Sequence, residues 1–311
     1  SKTIALVDID LSKTGLPKVR LNPAVGIVEI ASGCMSECTF CQTKLSKGDL
    51  KSYRIGDVVR QVETELADGC KEIWLSSTDN GCYGLDIETD LPSLVDQVSN
   101  IPQDFRIRVG MMNPMFMPRI RDGLLKSFEN DKVFKFLHVP VQSGSDSVLN
   151  NMKRGHSVET FKDVVKKFRE KFQTFTISTD IIVGYPTETE EDFEKTISLL
   201  KETKPDIINH SRYSQRPGTD AAEMPQIDMS EIKRRSKQLF ELVNEISFAN
   251  NKKWIGWEGL VLFDETTDGQ VKGRNYAYKP IFVKDDVTIG QKNHVRIVDA
   301  TNHSLIGELR S

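Results

Sequence analysis

The sequence lacks the features that mark several classes of protein. No apolar run approaches the roughly 20 residues that a membrane-spanning helix needs, and the start SKTIALVDIDL lacks the basic and apolar order of a signal peptide. Five cysteines are too few for a secreted disulfide framework, and an odd number cannot all form pairs. Forty-two basic and 45 acidic residues among 311 leave a net charge of −3, so any polyanion must be bound by a local patch. These absences predict a cytoplasmic globular protein with no membrane contact.

Short apolar runs alternate with amphipathic stretches between about residues 25 and 213. The runs are VGIVEIAS, EIWLSS, RIRVGMM, VFKFLHVPV, TFTISTDIIVG and DIINHSRY, and each is typical of a β-strand. The segments between them have helical spacing, and Thr187 with Glu190 predicts a capping box at the last of these helices. Six strand–helix units predict an α/β fold, either a partial (β/α)6 barrel or an open doubly wound sheet.

The pattern changes after a long charged helix that is predicted at residues 230–253. Short apolar segments separated by Gly, Asp and Asn turns follow it, and they predict a small all-β barrel. We therefore divide the chain into a lead-in over residues 1–24, an α/β core domain over residues 25–250 and a small barrel domain over residues 251–311.

Three of the five cysteines lie within eight residues, in the segment SGCMSECTFCQ. Cys34, Cys38 and Cys41 follow the first predicted strand, and α/β sheets place their sites at the carboxyl ends of strands. Three thiolates on a short loop can hold three irons of a cubane cluster and leave the fourth iron for a non-protein ligand. A structural zinc would require four closed ligands, and a loop of inert thiols is the remaining alternative. The spacing favours the iron–sulfur cluster.

Three further residues near this loop have open roles. Phe40 lies between two of the clustered cysteines and suits either the core or packing against an adenine. Cys70 precedes the second predicted strand and is interpreted as a buried structural thiol. Cys82 follows that strand and therefore lies closer to the predicted site.

Polar residues recur at the ends of the later predicted strands and are expected to meet at the edge that holds the cysteines. Hydroxyls, amides and a carboxylate suit the amino and carboxylate groups of an amino-acid moiety, with Arg154 as the candidate for its carboxylate. Each residue alone also suits an ordinary turn or cap. His138 precedes a proline within an apolar strand and is interpreted as a core residue. The candidates besides Arg154 are Ser77, Thr78, Asp79, Asn113, Gln142, Ser143 and Asp180.

Two segments combine cations with aromatic residues. In YSQRPGT, Arg216 lies in a Pro-Gly turn, which is expected either to be a plain turn or to contact a phosphate or base of RNA. In the small barrel, Lys272, Arg274 and Tyr276 alternate along one predicted strand. Small β-barrels bind single-stranded or looped RNA by such stacking and charge, so these residues are candidate RNA contacts.

Several long motifs resemble those of a known family. CxxxCxxC with an aromatic residue inside it is similar to the radical S-adenosylmethionine (SAM) superfamily. HVPVQSGSDSVLNNMKRGH, DIIVGYPTETEEDF and YSQRPGTDAA resemble its methylthiotransferase branch, and the end HSLIGEL resembles that of a TRAM domain. GLDIETDLPSL and RVGMMNP are similar to the archaeal and eukaryotic type, which acts on threonylcarbamoyladenosine beside the tRNA anticodon. The likeness runs from about Lys18 to the end of the chain.

The resemblance implies a partial radical SAM barrel followed by an OB-like TRAM barrel. Cys34, Cys38 and Cys41 would hold a 4Fe-4S cluster that binds SAM, and reductive cleavage would give a deoxyadenosyl radical that takes hydrogen from the adenine. The implied partners are the tRNA anticodon loop, a reductant such as ferredoxin or flavodoxin, and a sulfur donor that the sequence does not identify. Gln215 is a small departure, because relatives often have proline there.

Members of the family usually carry an N-terminal domain with three more cysteines, and this chain is expected to be a core fragment without it. Two alternative functions remain open at this point. One is a radical SAM enzyme that modifies a ribosomal-protein side chain, and the other is a non-catalytic RNA-binding protein with a structural metal.

Overall fold

The computed structural model describes residues 15, 19–267 and 269–310. Most of the lead-in predicted for residues 1–24 lies outside these described residues. Two units follow one another along the chain, an α/β unit that ends in a long helix and a small closed β-barrel. None of the described helices is long and apolar enough to cross a lipid bilayer.

The first unit alternates strands with helices, as the sequence pattern predicts. Single 3-10 turns at Asn80–Cys82, Pro114–Phe116 and Asp220–Glu223 supplement its regular elements. In chain order these elements are β1 (Val25–Glu29), β2 (Ala31–Ser32), α1 (Thr43–Lys47), β3 (Lys51–Ser52), α2 (Ile55–Ala67), β4 (Glu72–Ser76), α3 (Leu91–Ser99), β5 (Arg106–Val109), α4 (Met117–Ser127), β6 (Phe136–His138), α5 (Asp146–Asn151), α6 (Val158–Lys171), β7 (Thr176–Val183), α7 (Glu190–Thr203), β8 (Ile207–Arg212) and α8 (Met229–Lys252).

Six of these strands form one curved parallel sheet. β1, β4 and β5 pair in that order, and so do β6, β7 and β8. A parallel bridge between Ile107 and Val133 and a 2.9 Å hydrogen bond from the Met112 amide to the His138 carbonyl oxygen join the two groups. Because the order follows the chain without reversal, the partial-barrel prediction is confirmed and the doubly wound alternative is wrong. Within the described residues β1 and β8 do not pair, so the barrel is open between them.

The two faces of the curved sheet have different surroundings. Val28, Ile73 and Ile107 are fully buried in the main core under the helices. Trp74 and Arg108 are the next residues on their strands and therefore face the barrel lumen, where the Arg108 guanidinium lies 4.9 Å from the Trp74 ring centre. The alternation along each strand thus separates a helix-covered core from a lumen lined by aromatic and polar groups.

The second unit is a closed barrel with strand order β10-β11-β13-β12-β9, which confirms the predicted small all-β barrel. Its core contains Val261, Phe263, Ile281, Val295 and Leu305. Its strands are β9 (Glu258–Thr267), β10 (Gln270–Arg274), β11 (Pro280–Val283), β12 (Lys292–Ala300) and β13 (Leu305–Leu309).

The small barrel packs against the amino-terminal ends of the core strands. The Tyr278 ring lies 4.9 Å from the ring centres of both Phe134 and Phe136, at the start of β6. The buried Lys279 ammonium lies 3.1 Å from an Asp206 carboxylate oxygen, immediately before β8. This contact closes one end of the core barrel and leaves the carboxyl ends of its strands for the cysteine loop.

Candidate active site

The clustered cysteines lie on the loop that leaves the short strand β2. Gly33 has a φ of +72°, and a Cβ there would lie 1.9 Å from the Asp49 carbonyl oxygen, so this turn requires glycine. The Cys34 amide donates to the Gly48 carbonyl oxygen at 3.2 Å, and the Ser36 amide donates to the Cys34 sulfur at 3.3 Å. These contacts fix the first cysteine. None of the three clustered thiols is in a disulfide.

The three thiols line one cavity of about 330 Å³, a volume at the lower end of small-molecule sites. Lys153 and Asp220 form part of its wall and are ion-paired at 3.0 Å. In the part of the chain that the structure describes, no three His, Cys, Asp or Glu side chains converge on one ion-sized point. The thiols therefore surround a space rather than meeting at a point.

Thr39, inside the cysteine motif, ties the loop to distant parts of the barrel. Its amide donates to the Met152 carbonyl oxygen at 3.2 Å, and its carbonyl oxygen accepts from the Ala221 amide at 2.9 Å. Its hydroxyl donates to the buried Tyr185 hydroxyl at 2.8 Å and lies 3.0 Å from the Asn151 carbonyl oxygen. The loop is thus held by segments that follow α5, β7 and β8.

Phe40, the candidate for packing against an adenine, contacts a small apolar group behind the loop. It is half-buried and packs against the cluster of Val148, Met152, Tyr185, Tyr213 and Ala221. The structure therefore places this ring with the residues that support the loop.

Two predicted strand-end residues connect β4 and β5 to the cysteine loop. The buried Asp79 carboxylate accepts hydrogen bonds from the amides of Gly81 and Asn113 at 2.9 and 3.0 Å. The Asn113 amide group donates to the Ser36 hydroxyl at 3.1 Å. Burial raises the pKa of Asp79, and the two backbone amides act against this effect. Asp79 and Asn113 therefore act here as supports of the loop.

The two predicted serines take part in turns. The Ser77 hydroxyl donates to the Asn80 side-chain oxygen at 2.5 Å. Ser143 is fully buried, and its hydroxyl accepts from the Ser145 amide at 3.2 Å. Both roles agree with the ordinary turn interpretation that the sequence left open.

Three other candidates have buried polar atoms without a hydrogen-bond partner among the described residues. These atoms are Thr78 Oγ1, Gln142 Oε1 and Arg154 Nε. Gln142 also has a φ of +74°, which is rare for a residue other than glycine, and its backbone pairs with β7. Buried polar atoms normally have partners, so such atoms at one edge of the barrel are typical of a site that binds a polar ligand.

Arg154 contacts a cysteine directly. Its Nη1 donates to the Cys38 sulfur at 3.0 Å, and its Nη2 donates to the Pro140 carbonyl oxygen at 3.1 Å. Burial raises the pKa of the Cys38 thiol, and the charge and hydrogen bond of Arg154 act against this effect. The guanidinium is almost completely buried beside the loop.

Asp180 belongs to a polar group in the barrel that sequence reasoning did not assemble. Its Oδ1 lies 3.0 Å from His138 Nε2 and accepts from the Asn209 amide group at 2.9 Å. Burial acts to raise the pKa of Asp180, but these contacts outweigh it and hold the pKa below its ordinary value. The His138 side chain, interpreted from the sequence as a core residue, is 18% exposed and has Asp180 as its partner. Its two-residue spacing from Phe136 is the signal that it faces the lumen.

His156 is a second histidine that sequence reasoning missed. Burial, together with the positive charge of Arg154, lowers the pKa of His156 to about 4, so the imidazole is neutral near pH 7. Its Nδ1 lies 3.2 Å from the Arg154 carbonyl oxygen. In the sequence, only its position two residues after Arg154 indicates that His156 lies beside the site.

The predicted RNA contacts lie in two places. Arg216 is exposed in the loop after β8, and Gln42 of the cysteine loop donates to the neighbouring Pro217 carbonyl oxygen at 2.7 Å. Lys272 instead pairs with Glu265.

The other two candidates lie in the small barrel near the domain junction. The Arg274 guanidinium lies 4.5 Å from the Tyr278 ring centre and 3.6 Å from Asp264. Tyr276 packs against Trp254 and Trp257. These side chains are therefore engaged within the protein.

The two remaining cysteines are buried thiols. Cys70 is 1% exposed and Cys82 is fully buried. Burial, together with the nearby Asp79 carboxylate, raises the pKa of Cys82 to about 12, and its thiol donates to the Asp79 carbonyl oxygen at 3.1 Å. Cys82 is therefore an uncharged thiol near neutral pH.

An open barrel of six parallel strands with CxxxCxxC at its carboxyl edge defines a radical SAM protein, and the family model of the Radical SAM superfamily matches residues 28–200. Among solved structures, the coproporphyrinogen III oxidase HemN of Escherichia coli shares the fold with a TM-score of 0.55 and 14% identity, over 93% of this chain and 73% of that one. TsrM of Kitasatospora setae gives a TM-score of 0.54 and 16% identity over 64% of this chain and 38% of its own.

The curated relatives are more similar. The chain is 41% identical to the probable threonylcarbamoyladenosine tRNA methylthiotransferase of Pyrococcus horikoshii, over 96% of this chain and 71% of the relative. It is 42% identical to the corresponding protein of Archaeoglobus fulgidus over 97% and 71%, and 41% identical to that of Drosophila melanogaster over 94% and 54%. The chain therefore belongs to the radical SAM family of threonylcarbamoyladenosine tRNA methylthiotransferases.

Proposed function

We propose that this chain is the catalytic core of a transferase that converts threonylcarbamoyladenosine-37 of tRNA to its 2-methylthio derivative. The observation that carries the proposal is that three free thiols line one cavity at the carboxyl edge of an open six-stranded barrel. The membership in a family of tRNA-modifying enzymes sets the substrate class.

The donor set fits a 4Fe-4S cluster. Thiolates are the usual protein ligands of such clusters, and Cys34, Cys38 and Cys41 would bind three of the four irons. A bound cluster supplies the electron for cleavage of SAM, which is chemistry of the cofactors themselves. The protein holds the cysteine loop through Thr39 and keeps the thiols within one cavity.

The atoms that lack partners suit SAM. Arg154 Nε, which lacks a partner among the described residues, would donate to the carboxylate of its methionine part, since hydrogen bonds between charged groups are strong. Thr78 Oγ1 and Gln142 Oε1 are unpartnered among the described residues and can accept hydrogen bonds from its amino or hydroxyl groups. The Asp180 carboxylate, held by His138 and Asn209, would accept a further hydrogen bond from the cofactor or substrate within the barrel.

We place the first tRNA contacts on the cysteine side of the molecule. Arg216 is exposed there, on a loop hydrogen-bonded to the cysteine loop. R216A should weaken tRNA binding and lower the salt slope of the affinity by about one. The comparison variant K272A/R274A tests the small barrel, and a fall of about two in its slope would place the tRNA there instead.

The enzyme proposal is tested by anaerobic reconstitution with iron and sulfide, followed by dithionite and SAM. We expect four irons with labile sulfide per chain and release of 5′-deoxyadenosine. C38A should abolish both, whereas C70A, which removes a buried thiol outside the cavity, should leave both unchanged. A fully loaded protein that releases no deoxyadenosine would overturn the proposal.

The substrate is tested separately by capture. tRNA that carries threonylcarbamoyladenosine should be retained on the immobilised protein in preference to the same tRNA without the modification. Retention of a ribosomal protein instead would favour the sister activity.

A further inference from the structure

The contact between Arg154 and Cys38 is a short polar contact whose donor is also anchored at its other end. The Nη1 to Sγ distance of 3.0 Å is short for a hydrogen bond to sulfur, and Nη2 is anchored at 3.1 Å to the Pro140 carbonyl oxygen. Arg154 is 6% exposed, so water does not compete strongly for these donors. Both ends of the guanidinium fork are thus in use.

The charge of Arg154 has no carboxylate partner at ion-pair distance among the described residues. Asp79 and Asp180 interact with its charge at longer range, but their hydrogen bonds go elsewhere, those of Asp79 to two backbone amides and those of Asp180 to His138 and Asn209. A buried cation is costly without an anion beside it. The Cys38 sulfur, as a thiolate ligand of a cluster, is the anion that the geometry supplies.

The donor and the acceptor lie on segments that are fastened to each other. Arg154 follows α5 between two left-handed residues, Lys153 with a φ of +52° and Gly155 with a φ of +67°. Its own amide donates to the Leu149 carbonyl oxygen at 3.0 Å. The residue that follows Cys38 donates its amide to Met152 of the same turn, so the two segments keep a constant separation.

We propose that Arg154 is a positioning residue that stabilises the reduced form of the cluster through Cys38. The inference rests on the proposed function, because it requires a cluster held by the three cysteines. One added electron makes the cluster more negative, so a buried positive donor at a ligand sulfur favours the reduced form. The unpartnered Arg154 Nε remains available for the SAM carboxylate, and one side chain can therefore serve both groups.

The test is an EPR-monitored redox titration of reconstituted protein without SAM, so that carboxylate binding does not contribute. In R154Q the ratio of reduced to oxidised cluster at a given potential should fall about tenfold, which is ~59 mV for a one-electron couple. R154K keeps the charge but cannot reach both Pro140 and Cys38, and its ratio should fall about threefold. The control K167Q removes an exposed charge of α6 outside the cavity that the cysteines line, and it should change the ratio by less than about twofold.

The outcomes separate this inference from the proposed function. Wild-type protein that binds no four-iron cluster contradicts the proposed function itself. Wild-type and R154Q proteins that both carry four irons and share one midpoint potential overturn only the role of Arg154. If R154Q retains no cluster, R154K decides, and an unchanged potential in R154K overturns the inference.

Discussion

At the scale of single residues, hydroxyl groups behind the cysteine loop differ in whether they have partners. The Tyr185 hydroxyl lies 2.8 Å from Thr39 Oγ1 and donates to the Asn151 carbonyl oxygen at 2.9 Å. The neighbouring Tyr213 hydroxyl is buried and has no partner among the described residues. The two rings are in contact, with centres 5.8 Å apart, so they form a matched pair.

Removing the Tyr185 hydroxyl should therefore loosen the cysteine loop. Y185F loses buried hydrogen bonds and should lower the free energy of unfolding by about 1 to 2 kcal/mol, measured by urea titration of the cluster-free protein. Y213F should change it by less than about 0.5 kcal/mol. Equal effects of the two variants would show that the hydrogen bonds to Thr39 and Asn151 do not stabilise the loop.

Glu72 is a second residue whose surroundings predict a measurable effect. It is fully buried at the start of β4, where Trp74 Nε1 donates to its carboxylate. Burial, with the nearby Asp264 carboxylate, raises the pKa of Glu72 to about 7 from an ordinary value of 4.5. The folded protein therefore binds a proton that the unfolded chain releases above its own pKa.

It follows that this group lowers stability as the pH rises from about 4.5 to 7, with no further loss at higher pH. E72Q removes this penalty, so its free energy of unfolding relative to wild type should rise by about 2 to 3 kcal/mol between pH 5 and pH 8. Urea titrations of both proteins at the two pH values measure this difference. E63Q, at an exposed helix position, is the control, and a constant difference between E72Q and wild type would contradict the prediction.

At the scale of elements, the start of α7 supports the loop that carries Gln142. The capping box consists of Thr189 and Asp192, whose side chains and backbone amides bond reciprocally at 3.1 to 3.2 Å. The box predicted from Thr187 and Glu190 is therefore wrong by two residues. The sequence TETEED contains both patterns, and spacing alone cannot choose between them. Asp192 also accepts a hydrogen bond from the Ser145 hydroxyl at 2.6 Å. This contact favours the capping box that contains Asp192.

The observed capping box indicates that Thr189, and not Thr187, stabilises the start of α7. T189A removes the N-cap and should lower the free energy of unfolding by about 1 kcal/mol, while T187A removes only an exposed contact to Asn151 and should cost less than half as much. Urea titration measures both effects. A larger loss of unfolding free energy in T187A than in T189A would instead support the box predicted from Thr187 and Glu190.

At the scale of the whole molecule, the sequence predicts the order of helices and strands better than it predicts which side chains from distant elements contact each other. Six alternating units, the small barrel and the loop of Cys34, Cys38 and Cys41 follow from period and spacing, because these are local properties. The alternation of Lys272 and Arg274 predicts that they share one face of a strand. It does not predict that Glu265 and Asp264 of β9 pair with them. Likewise, the group around Asp180 joins three strands, and no local pattern contains it.

A buried ammonium group lies at the junction of the two units. Lys279 is 1% exposed, and its Nζ lies 3.1 Å from Asp206 of the core and 3.2 Å from the Asn251 side-chain oxygen near the end of α8. The Asn251 amide group donates in turn to the Thr301 carbonyl oxygen of the small barrel at 2.9 Å. Loss of the ammonium would remove the charge partner that Asp206 has across the junction and leave it Arg169, 3.6 Å away, and the Ile177 amide.

K279A should therefore lower the free energy of unfolding by about 2 kcal/mol, less than for a wholly unpaired carboxylate, and uncouple the two units, whereas K284A, at an exposed position of the same barrel, should do neither. Tryptophan fluorescence during urea unfolding can report the uncoupling, because Trp254 and Trp257 pack on the small barrel and Trp74 faces the core lumen. We expect a single transition in wild type and two transitions in K279A, since each unit has its own apolar core. A single transition with an unchanged midpoint in K279A would mean that the rings of Phe134, Phe136 and Tyr278 hold the units together without the ion pair.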